Sequence, residues 1–309
     1  MAQNMHNQNP IKRDASAEHA KPSKGAAEND KLREKLERLQ KLLLSYGSVT
    51  IGFSGGVDST FLAAVCARCM PSHTLLVHLT TPLIGTPEQQ SFERESKRFG
   101  LPVLELKINP LDNADVRANT ADRCYHCKHA GFSHIVEEAH ERGYAVVVDG
   151  SNADDVGDYR PGMRAVKELG VRSPLQETGW RKDEERELLH DWGLPVWNLP
   201  AGACMATRIP CDEPLTSEKL DIVRACEDYL HSLGIRQVRV RLENGCARVA
   251  ASPEDLVRLA RLNDEPVTDE EGVAYASLTP DIKKTFRQFG VLDVDPIARP
   301  YRHGAMNGR

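Results

Sequence analysis

A short glycine-rich segment near the start of the chain constrains the possible folds more than any other feature. It comprises residues 54–60, SGGVDST, and it lies between the β-branched residues 48–53, SVTIGF, and the apolar residues 61–70, FLAAVCARCM. A β-branched run bounded by glycines predicts a short buried strand, and the apolar run after the segment predicts a helix. A strand that passes through a glycine turn into a helix is the first half of a βαβ unit, so we expect a parallel sheet.

The alternation of strand and helix patterns continues towards the middle of the chain. Further strands are predicted at residues 73–80, 102–108 and 144–150, and helices at residues 86–100 and 121–142. Parallel strands that are joined by helices of this length are covered by helices on both faces. The predicted fold class is therefore α/β, with a doubly wound, mostly parallel sheet.

The sequence pattern changes on both sides of this region. Residues 1–28 are polar and without periodicity, and we expect a disordered tail there, before an amphipathic helix that starts at Asp30. Residues 157–170, GDYRPGMRAVKELG, are expected to form a polar loop, which a charged helix at residues 181–192 follows. A smaller α+β unit is predicted beyond it, with helices from Ser217 and at residues 254–262 and strands at residues 236–242, 247–251 and 273–278.

Composition excludes several classes of protein. The chain has 309 residues, a net charge of −5 and a mean hydropathy of −0.46. The acidic balance argues against a protein that coats nucleic acid, and no apolar stretch approaches the ~18–20 residues of a transmembrane helix. The first residues carry charges but no apolar core of a secretory signal, so we expect a cytoplasmic protein. In that reducing compartment the eight cysteines indicate metal, cluster or redox chemistry more than disulfides.

The glycine-rich loop has the chemistry of an anion site. Gly55 and Gly56 allow the backbone to approach a ligand closely, and N–H groups at the start of the following helix point towards a bound anion. Asp58 can hold Mg²⁺ against phosphate oxygens. The loop contains no lysine, so it is not a Walker A sequence. The alternative is a glycine turn with a capping serine and no ligand.

This loop resembles the PP-loop of the ATP pyrophosphatase superfamily, whose members have an adenine nucleotide alpha-hydrolase-like sheet. The resemblance implies that the protein cleaves ATP between its α and β phosphates and attaches AMP to a substrate oxygen. It implies a catalytic role for Asp58 through Mg²⁺. The nucleotide-binding residues that it implies are Ser54, Gly55, Gly56, Ser59, Thr60, Thr80, Gly150 and Asn152.

Motifs beyond the loop narrow the resemblance. They are residues 149–155, DGSNADD, residues 157–162, GDYRPG, residues 172–175, RSPL, and residues 204–210, CMATRIP. In this order they resemble the LarE family of ATP-dependent sacrificial sulfur transferases. That family adenylates pyridinium-3,5-biscarboxylic acid mononucleotide and converts its carboxylates to thiocarboxylates in nickel-pincer nucleotide biosynthesis.

The resemblance also implies a domain organisation. Residues 29–195 are expected to form the PP-loop ATP pyrophosphatase domain, and residues 196–285 a unit for substrate binding and sulfur transfer. Residues 1–28 and 286–309 are expected to be tails.

The cysteines admit two sources of sulfur. In one branch of the family a single cysteine gives up its own sulfur and becomes dehydroalanine; Cys204 matches it, and nearby Arg208 would favour its thiolate. In another branch three cysteines hold a [4Fe–4S] cluster, and Cys124, Cys127 and Cys204 match that set. We favour the cluster. The alternatives are a zinc site, since His126, His129 and His134 are close by in the sequence, and cysteines without a shared role.

Arginines of the second unit are candidates for binding the phosphate of the substrate. Arg239 and Arg241 alternate along a predicted strand and therefore share one face. A planar guanidinium suits a phosphate, and these positions resemble arginines that hold substrate phosphate in the family. Thr207 and Arg208 join this set through the same resemblance. The alternative is a solvated charged face.

Two other functions compete with sulfur transfer to a mononucleotide. A tRNA 2-thiolation enzyme also combines a PP-loop with three cysteines, but the net charge of −5 and the lack of a basic platform argue against it. A non-catalytic nucleotide- or cluster-binding protein would not need the intact loop with Asp58. We therefore expect ATP, Mg²⁺ and a [4Fe–4S] cluster as cofactors, a small mononucleotide as substrate, and a homo-oligomer that binds neither nucleic acid nor a membrane.

Overall fold

Four parallel strands form the first sheet of the computed structural model, which describes residues 24–155, 161–200, 202–265, 267–270 and 273–301. The strands are β1 Val49–Gly52, β2 Thr74–Thr80, β3 Val103–Lys107 and β4 Val146–Val148. Their order in the sheet is β3-β2-β1-β4, and every pairing is parallel. Each strand lies inside a predicted one, so the prediction of a parallel sheet is confirmed.

The chain turns in opposite directions on the two sides of β1. It continues from β1 to β2 and β3 on one side, and then crosses to β4 on the other side. The loops after β1 and β4 therefore diverge and leave a crevice, the place where open α/β sheets bind ligands. The PP-loop follows β1 and residues 149–155 follow β4, so the fold brings two predicted ATP-binding segments together.

Helices cover both faces of this sheet. The helices in this part of the chain are α1 Lys24–Ser45, α2 Val57–Cys69, α3 Thr86–Glu95, α4 Ala114–Arg117, α5 Arg123–Glu141, α6 Pro161–Glu168, α7 Pro174–Glu177 and α8 Lys182–Asp191; of these, α4 packs its Val116 in the core of the second unit. Ile51 and Leu76 belong to a core that includes residues of α1, α2 and α8, whereas Val77 and Val147 belong to a core with α5 and α6. Helices on opposite faces confirm the doubly wound α/β class. None of the helices within the described ranges is both long and apolar enough for a membrane span.

A second, smaller unit follows in the chain. It contains α9 Ser217–Ser232, β5 Val238–Glu243, β6 Cys246–Ala251, α10 Pro253–Arg261, β7 Thr268–Glu270, β8 Val273–Ser277, α11 Pro280–Gln288, β9 Asp293–Val294 and β10 Ile297–Pro300. Its strands have the order β5-β6-β10-β8-β7, and β9 pairs with β6. Helices α9, α10 and α11 bury Leu220, Leu256 and Phe286 in the core of this unit. The predicted α+β unit is confirmed.

Two segments of the first unit differ from the sequence prediction. Helix α1 starts at Lys24 rather than at Asp30, so its first turn falls within the expected tail 1–28; residues 1–23 lie outside the described residues. Part of the expected polar loop forms α6, because Ala165 and Val166 give it a buried face. The preceding residues 156–160 lie outside the described residues.

The second sheet also extends past residue 286, where the sequence indicated a tail. Strand β10 pairs with β6 on one side and with β8 on the other, so it lies inside the sheet. The strand has only four residues and ends in Pro300. It is too short to show the alternation of apolar and polar residues that would indicate a strand in the sequence. Residues 302–309 lie outside the described residues.

A buried asparagine ties the two units together. Asn119 has a φ of 56°, and its side chain is 0% exposed. Its Nδ2 donates to the carbonyls of Pro210 at 2.7 Å and Glu213 at 3.0 Å. The Met205 N–H donates to the Leu83 carbonyl at 2.8 Å, so the segment around Cys204 is held against the first unit.

Gly55 brings the PP-loop into direct contact with α3. Its φ is +75°, and a Cβ at this position would lie 2.6 Å from both the N and the Cα atom of Phe92. The Ser91 hydroxyl donates to the Gly55 carbonyl at 2.8 Å. The His78 ring stacks on the Phe92 ring with 3.6 Å between centroids, which fixes α3 against β2. The loop therefore requires glycine for its backbone conformation and for space.

We expect Gly55→Ala to destabilise the protein more than Gly143→Ala does. Both glycines have similar φ values, +75° and +74°, so both variants incur the left-handed backbone cost of about 1–2 kcal/mol. Only at Gly55 would the added Cβ meet backbone atoms, since nothing lies within 4 Å of a Cβ at Gly143. Urea unfolding of both variants and the wild type measures the difference. Equal losses would contradict the tight contact with α3.

Candidate active site

Hydrogen bonds between its own groups close the PP-loop. The hydroxyl oxygens of Ser54 and Ser59 lie 3.0 Å apart, and the Gly56 N–H donates to Ser54 Oγ at 3.3 Å. Ser59 and Thr60 are buried, and the Thr60 hydroxyl has no hydrogen-bond partner within the described ranges. Ser54 is exposed, and Gly56 and Asp58 are partly exposed. These three residues are therefore the part of the loop that a bound anion can reach from solvent.

Asp58 is held by residues from two other segments. Its Oδ1 accepts a hydrogen bond from Asn152 Nδ2 at 3.2 Å, and its Oδ2 pairs with Lys182 Nζ at 3.0 Å. Gly150 packs closely on the same loop, since a Cβ there would lie 3.0 Å from the Ser59 nitrogen. The structure thus brings Gly150 and Asn152 to the PP-loop, as the sequence indicated. Their contact with a nucleotide stays a prediction.

Glu185 is a buried acid beside Asp58. Its side chain is 0% exposed, its Oε1 accepts from Asn152 Nδ2 at 3.2 Å, and no described residue donates to its Oε2, which can itself carry a proton. Burial raises the pKa of Glu185, and the hydrogen bond with Asp58 and the charge of Asp58 raise it further, while Asn152 and Lys182 oppose the shift. The acid is therefore protonated at neutral pH, and the two carboxyl groups together carry one negative charge that Lys182 balances.

Other polar residues at this edge of the sheet have partners from neighbouring elements. At the end of β2, Thr80 Oγ1 donates to Glu105 Oε2 at 3.4 Å. At the end of β4, Asp149 accepts from the Ser173 hydroxyl at 2.7 Å and lies 3.4 Å from Lys128 Nζ. Lys128 belongs to α5, so this helix is tied to the same edge that carries the PP-loop.

The three predicted cysteines lie in one neighbourhood, hereafter the cysteine trio. Cys124 and Cys127 lie at the start of α5, and Cys204 precedes a short helical turn, Met205–Arg208. All three are free thiols; Cys124 and Cys204 are exposed and Cys127 is partly buried. Burial, and then the charges of Cys204 and Cys124, raise the pKa of Cys127 to about 12. The thiols are therefore near enough to influence one another electrostatically.

Arg123 supplies positive charge to the cysteine trio and was missed in the sequence. Its Nη2 lies 3.6 Å from Cys124 Sγ, and its Nη1 donates to the Ala206 carbonyl at 3.3 Å. Although Cys204 reaches the surface, the protein atoms packed around its thiol raise its pKa, and the charges of Arg123 and Arg208 act in the opposite direction. The expected effect of Arg208 on the thiolate stays a prediction. The position of Arg123 directly before the CxxC motif was the signal that could have identified it.

The donor set of the cysteine trio fits an iron–sulfur cluster. Thiolates are the ligands of such clusters, and three free thiols converge here from two elements. The fit is one of donor chemistry: in the described residues, no three His, Cys, Asp or Glu side chains are arranged at metal-binding distances. His126 Nδ1 lies 3.6 Å from Asp115 Oδ2, a contact that does not involve Nε2, so the zinc alternative stays open.

Arg208 links the loop that carries Cys204 to the second sheet. Its Nε lies 2.8 Å from Glu227 Oε1 in a buried ion pair, and the same oxygen accepts from the Val240 N–H at 2.8 Å. Arg208 Nη1 lies 3.4 Å from the Cys204 carbonyl oxygen, to which the Thr207 hydroxyl also donates at 2.7 Å. A phosphate contact of Arg208 or Thr207 stays a prediction, because these groups are already engaged within the protein.

Arg239 and Arg241 share the outer face of β5, as predicted. Along this strand Val238, Val240 and Leu242 are buried, and the residues between them are partly exposed. Desolvation lowers the pKa of Arg241, and the charge of Arg239 lowers it further. Within the described ranges no carboxylate forms an ion pair with either arginine. The two guanidinium groups therefore form a positive patch without a direct ion pair, hereafter the arginine patch.

Lys182 and Glu185 were also missed in the sequence. Both lie at the start of α8, whose sequence KDEEREL indicated only a charged, solvated helix. A lysine followed at i+3 by an acid lies on one helix face, and that face meets the PP-loop. The burial of Glu185 depends on residues distant in the chain, so the local pattern carries little signal for it.

One family model and several known proteins match this chain. The Asparagine synthase family model matches residues 31–191. A pyridinium-3,5-bisthiocarboxylic acid mononucleotide synthase of Lactiplantibacillus plantarum is 30% identical over 237 residues, 76% of this chain and 85% of that protein. An uncharacterized protein of Synechocystis is 34% identical over 276 residues, 89% of this chain and 98% of the relative. One of Methanocaldococcus jannaschii is 26% identical over 219 residues, 68% and 83% of the two chains.

We expect Glu185→Gln to raise the free energy of unfolding at neutral pH, by about 1–3 kcal/mol, because the wild type must take up a proton at this acid on folding and glutamine is neutral in both states. Glutamine has the shape of the protonated acid and keeps a donor for Asp58. Glu185→Ala should be less stable than Glu185→Gln by about 2–4 kcal/mol, because it leaves a cavity and an unpaired Asn152 amide.

The pH dependence of these stabilities separates a protonated from an ionised Glu185. As the pH rises above the ordinary value of 4.5, only the unfolded wild type releases this proton, so the wild type loses stability relative to Glu185→Gln. Urea unfolding without Mg²⁺ at pH about 6 and about 8 tests this. Parallel changes in the two proteins would contradict a protonated acid.

Proposed function

Because the chain belongs to the LarE family of PP-loop enzymes, we propose that it is an ATP-dependent sulfur transferase that converts the carboxylates of pyridinium-3,5-biscarboxylic acid mononucleotide to thiocarboxylates. Membership of the family supports the use of ATP. The identity of the substrate and the transfer of sulfur to it are our proposal. The observation that carries the proposal is the cysteine trio at the contact between the PP-loop unit and the second unit.

The proposed reaction begins with adenylation. A carboxylate oxygen of the substrate attacks the α phosphorus of ATP, the bond from this phosphorus to the α–β bridging oxygen breaks, and pyrophosphate leaves. Mg²⁺, when bound, stabilises the negative charge that develops on pyrophosphate. Asp58 is the ligand that we propose for it, and Ser54 and Gly56 are the groups on the open side of the loop that would bind phosphate oxygens. Protonated Glu185 would donate a hydrogen bond to Asp58 and help to orient this carboxylate.

Sulfur then replaces AMP. A sulfur nucleophile attacks the carbonyl carbon of the acyl-adenylate, and AMP leaves with the electron pair of the broken C–O bond. We propose that Cys124, Cys127 and Cys204 would hold a [4Fe–4S] cluster, which would carry an additional inorganic sulfide for the transfer, so that neither a cysteine nor the cluster would be consumed. Arg123, 3.6 Å from Cys124 Sγ, adds positive charge beside the thiolates. The alternative is that Cys204 is itself the donor: its Cβ–Sγ bond would break and leave dehydroalanine.

The arginine patch is the proposed site for the phosphate of the mononucleotide. Its guanidinium groups lie on one face of β5 and have no carboxylate partner among the described residues, which supports an anionic ligand. Arg208 connects the Cys204 loop to the backbone of the same strand through Glu227. A substrate phosphate on this face would therefore be positioned relative to the sulfur loop by one continuous set of contacts.

We expect Asp58→Asn to lower the rate of AMP and pyrophosphate formation by about 10²-fold or more, because the variant loses the charge that holds Mg²⁺. The matched control is Asp183→Asn, an exposed acid at the start of α8 that pairs with Arg181 and not with the PP-loop. Chromatographic analysis of the nucleotides, with a thermal unfolding measurement for each variant, tests both. Formation of ADP and phosphate by the wild type would contradict a PP-loop reaction.

We expect Cys124→Ala and Cys127→Ala each to lose bound iron and sulfur transfer while adenylation persists, because three thiolates are required to hold the cluster. Cys246→Ala, a cysteine of β6 outside the trio, is the control and should retain both. Iron and sulfide analysis of anaerobically purified protein, and the mass of the protein after turnover, are the measurements. Dehydroalanine at position 204, with Cys124→Ala and Cys127→Ala still active, would replace the cluster by a sacrificial Cys204.

A further inference from the structure

The strand register brings an unassigned tyrosine to the arginine patch. Arg239 of β5 is paired with Ala250 of β6, and Ala250 is paired in turn with Arg299 of β10. Paired residues point to the same face of a sheet, and so does a residue two positions along the strand. Tyr301 follows Arg299 by two positions, and its N–H continues the ladder by donating to the Ala251 carbonyl at 2.9 Å. Tyr301 is therefore directed to the face that carries Arg239 and Arg241.

The side chain of Tyr301 contacts Arg239 in two ways. The guanidinium carbon lies 3.9 Å from the centroid of the phenol ring, which is a cation–π contact. Arg239 Nη1 also donates a hydrogen bond to the Tyr301 hydroxyl. Ala250 lies between the two strands, and its small side chain leaves room for the ring to reach across β6.

This double contact fixes a guanidinium that has no carboxylate partner among the described residues. A free arginine loses rotamer freedom when it binds a phosphate, and that entropy reduces the affinity. Stacking on an aromatic ring and a hydrogen bond to its hydroxyl restrict the side chain before the ligand arrives. A guanidinium has five N–H donors, so those not bonded to Tyr301 stay available for a phosphate.

We propose that Tyr301 is a positioning residue of a phosphate-monoester site, in which it holds the Arg239 guanidinium beside Arg241 so that the pair binds the 5′-phosphate of a mononucleotide. The inference rests on the proposed function for the identity of the substrate. The positioning of Arg239 by Tyr301 rests on the contacts between their side chains.

Calorimetric binding of nicotinic acid mononucleotide, a stable pyridinium mononucleotide, tests the site without turnover. Tyr301→Phe keeps the ring under the guanidinium and should weaken binding by ~3–10-fold, whereas Tyr301→Leu removes both contacts and should weaken it by ~10–30-fold. Ala250→Leu should weaken binding almost as much as Tyr301→Leu does. Arg239 and Tyr301 both remain in this variant, but the larger side chain fills the space between them. Tyr229→Phe, which changes a tyrosine of α9 packed on Phe289, is the control and should bind as the wild type does.

The kinetics distinguish positioning from a general loss of structure. In Tyr301→Leu the KM for the mononucleotide should rise, while kcat, the KM for ATP and the unfolding temperature change little. If Tyr301→Leu and Ala250→Leu bind the mononucleotide as tightly as the wild type while Arg239→Ala binds it weakly, the inference is overturned. If Arg239→Ala also binds the mononucleotide as tightly as the wild type, both the inference and the phosphate-binding role of the arginine patch are overturned. A third outcome is that the variants lose affinity as expected but the wild type forms no AMP. That result would support the phosphate site and contradict the proposed reaction.

Discussion

The contact between the Gly55 backbone and Phe92 determines where the PP-loop lies. A side chain at position 55 would meet main-chain atoms at 2.6 Å, so the loop and α3 can approach this closely only because the Cβ is missing. The loop in turn places Asp58 within 3.0 Å of Lys182 and within 3.2 Å of Asn152. These residues belong to α8 and to the segment after β4. Three distant parts of the chain thus converge on one carboxylate.

The two predicted binding regions differ in how their charges are balanced. At the PP-loop, Lys182 neutralises the single negative charge that Asp58 and protonated Glu185 share. Mg²⁺ at Asp58, as proposed, would therefore replace an existing ion pair. At the arginine patch no described carboxylate forms an ion pair with either guanidinium, Glu227 acts on Arg239 only from a distance, and the pKa values of both groups are lowered. A phosphate there relieves repulsion that the protein itself leaves in place.

Local sequence pattern was sufficient for the elements of the first unit and for its main motif. The strands were recognisable because runs such as TLLVHLT are β-branched and apolar, and the PP-loop because two glycines separate such a run from a helix. Helix α6 and strand β10 were missed because one lies in a stretch rich in glycine and proline and the other is short. Their stability comes from burial and from strand partners far away in the chain.

The same limit applied to the functional residues. Cys124, Cys127 and Cys204 could be chosen from spacing and family resemblance, and the structure brings them together. Glu185 and Tyr301 could not, because nothing local indicates that an acid in a charged helix is buried or that a tyrosine near the C-terminus lies across β6 from Arg239. Their surroundings exist only after the sheets have formed.

The buried side chain of Asn119 makes the cysteine trio a composite of two units. Its hydrogen bonds to the carbonyls of Pro210 and Glu213 hold the loop that carries Cys204 close to the helix that carries Cys124 and Cys127. Proteins open locally at a lower free energy than they unfold globally. Separation of the two units would disperse the thiols while each sheet remains folded. The lifetime of any group that they hold together, and its exposure to oxygen, are then set by the opening of this junction and not by the stability of the whole protein.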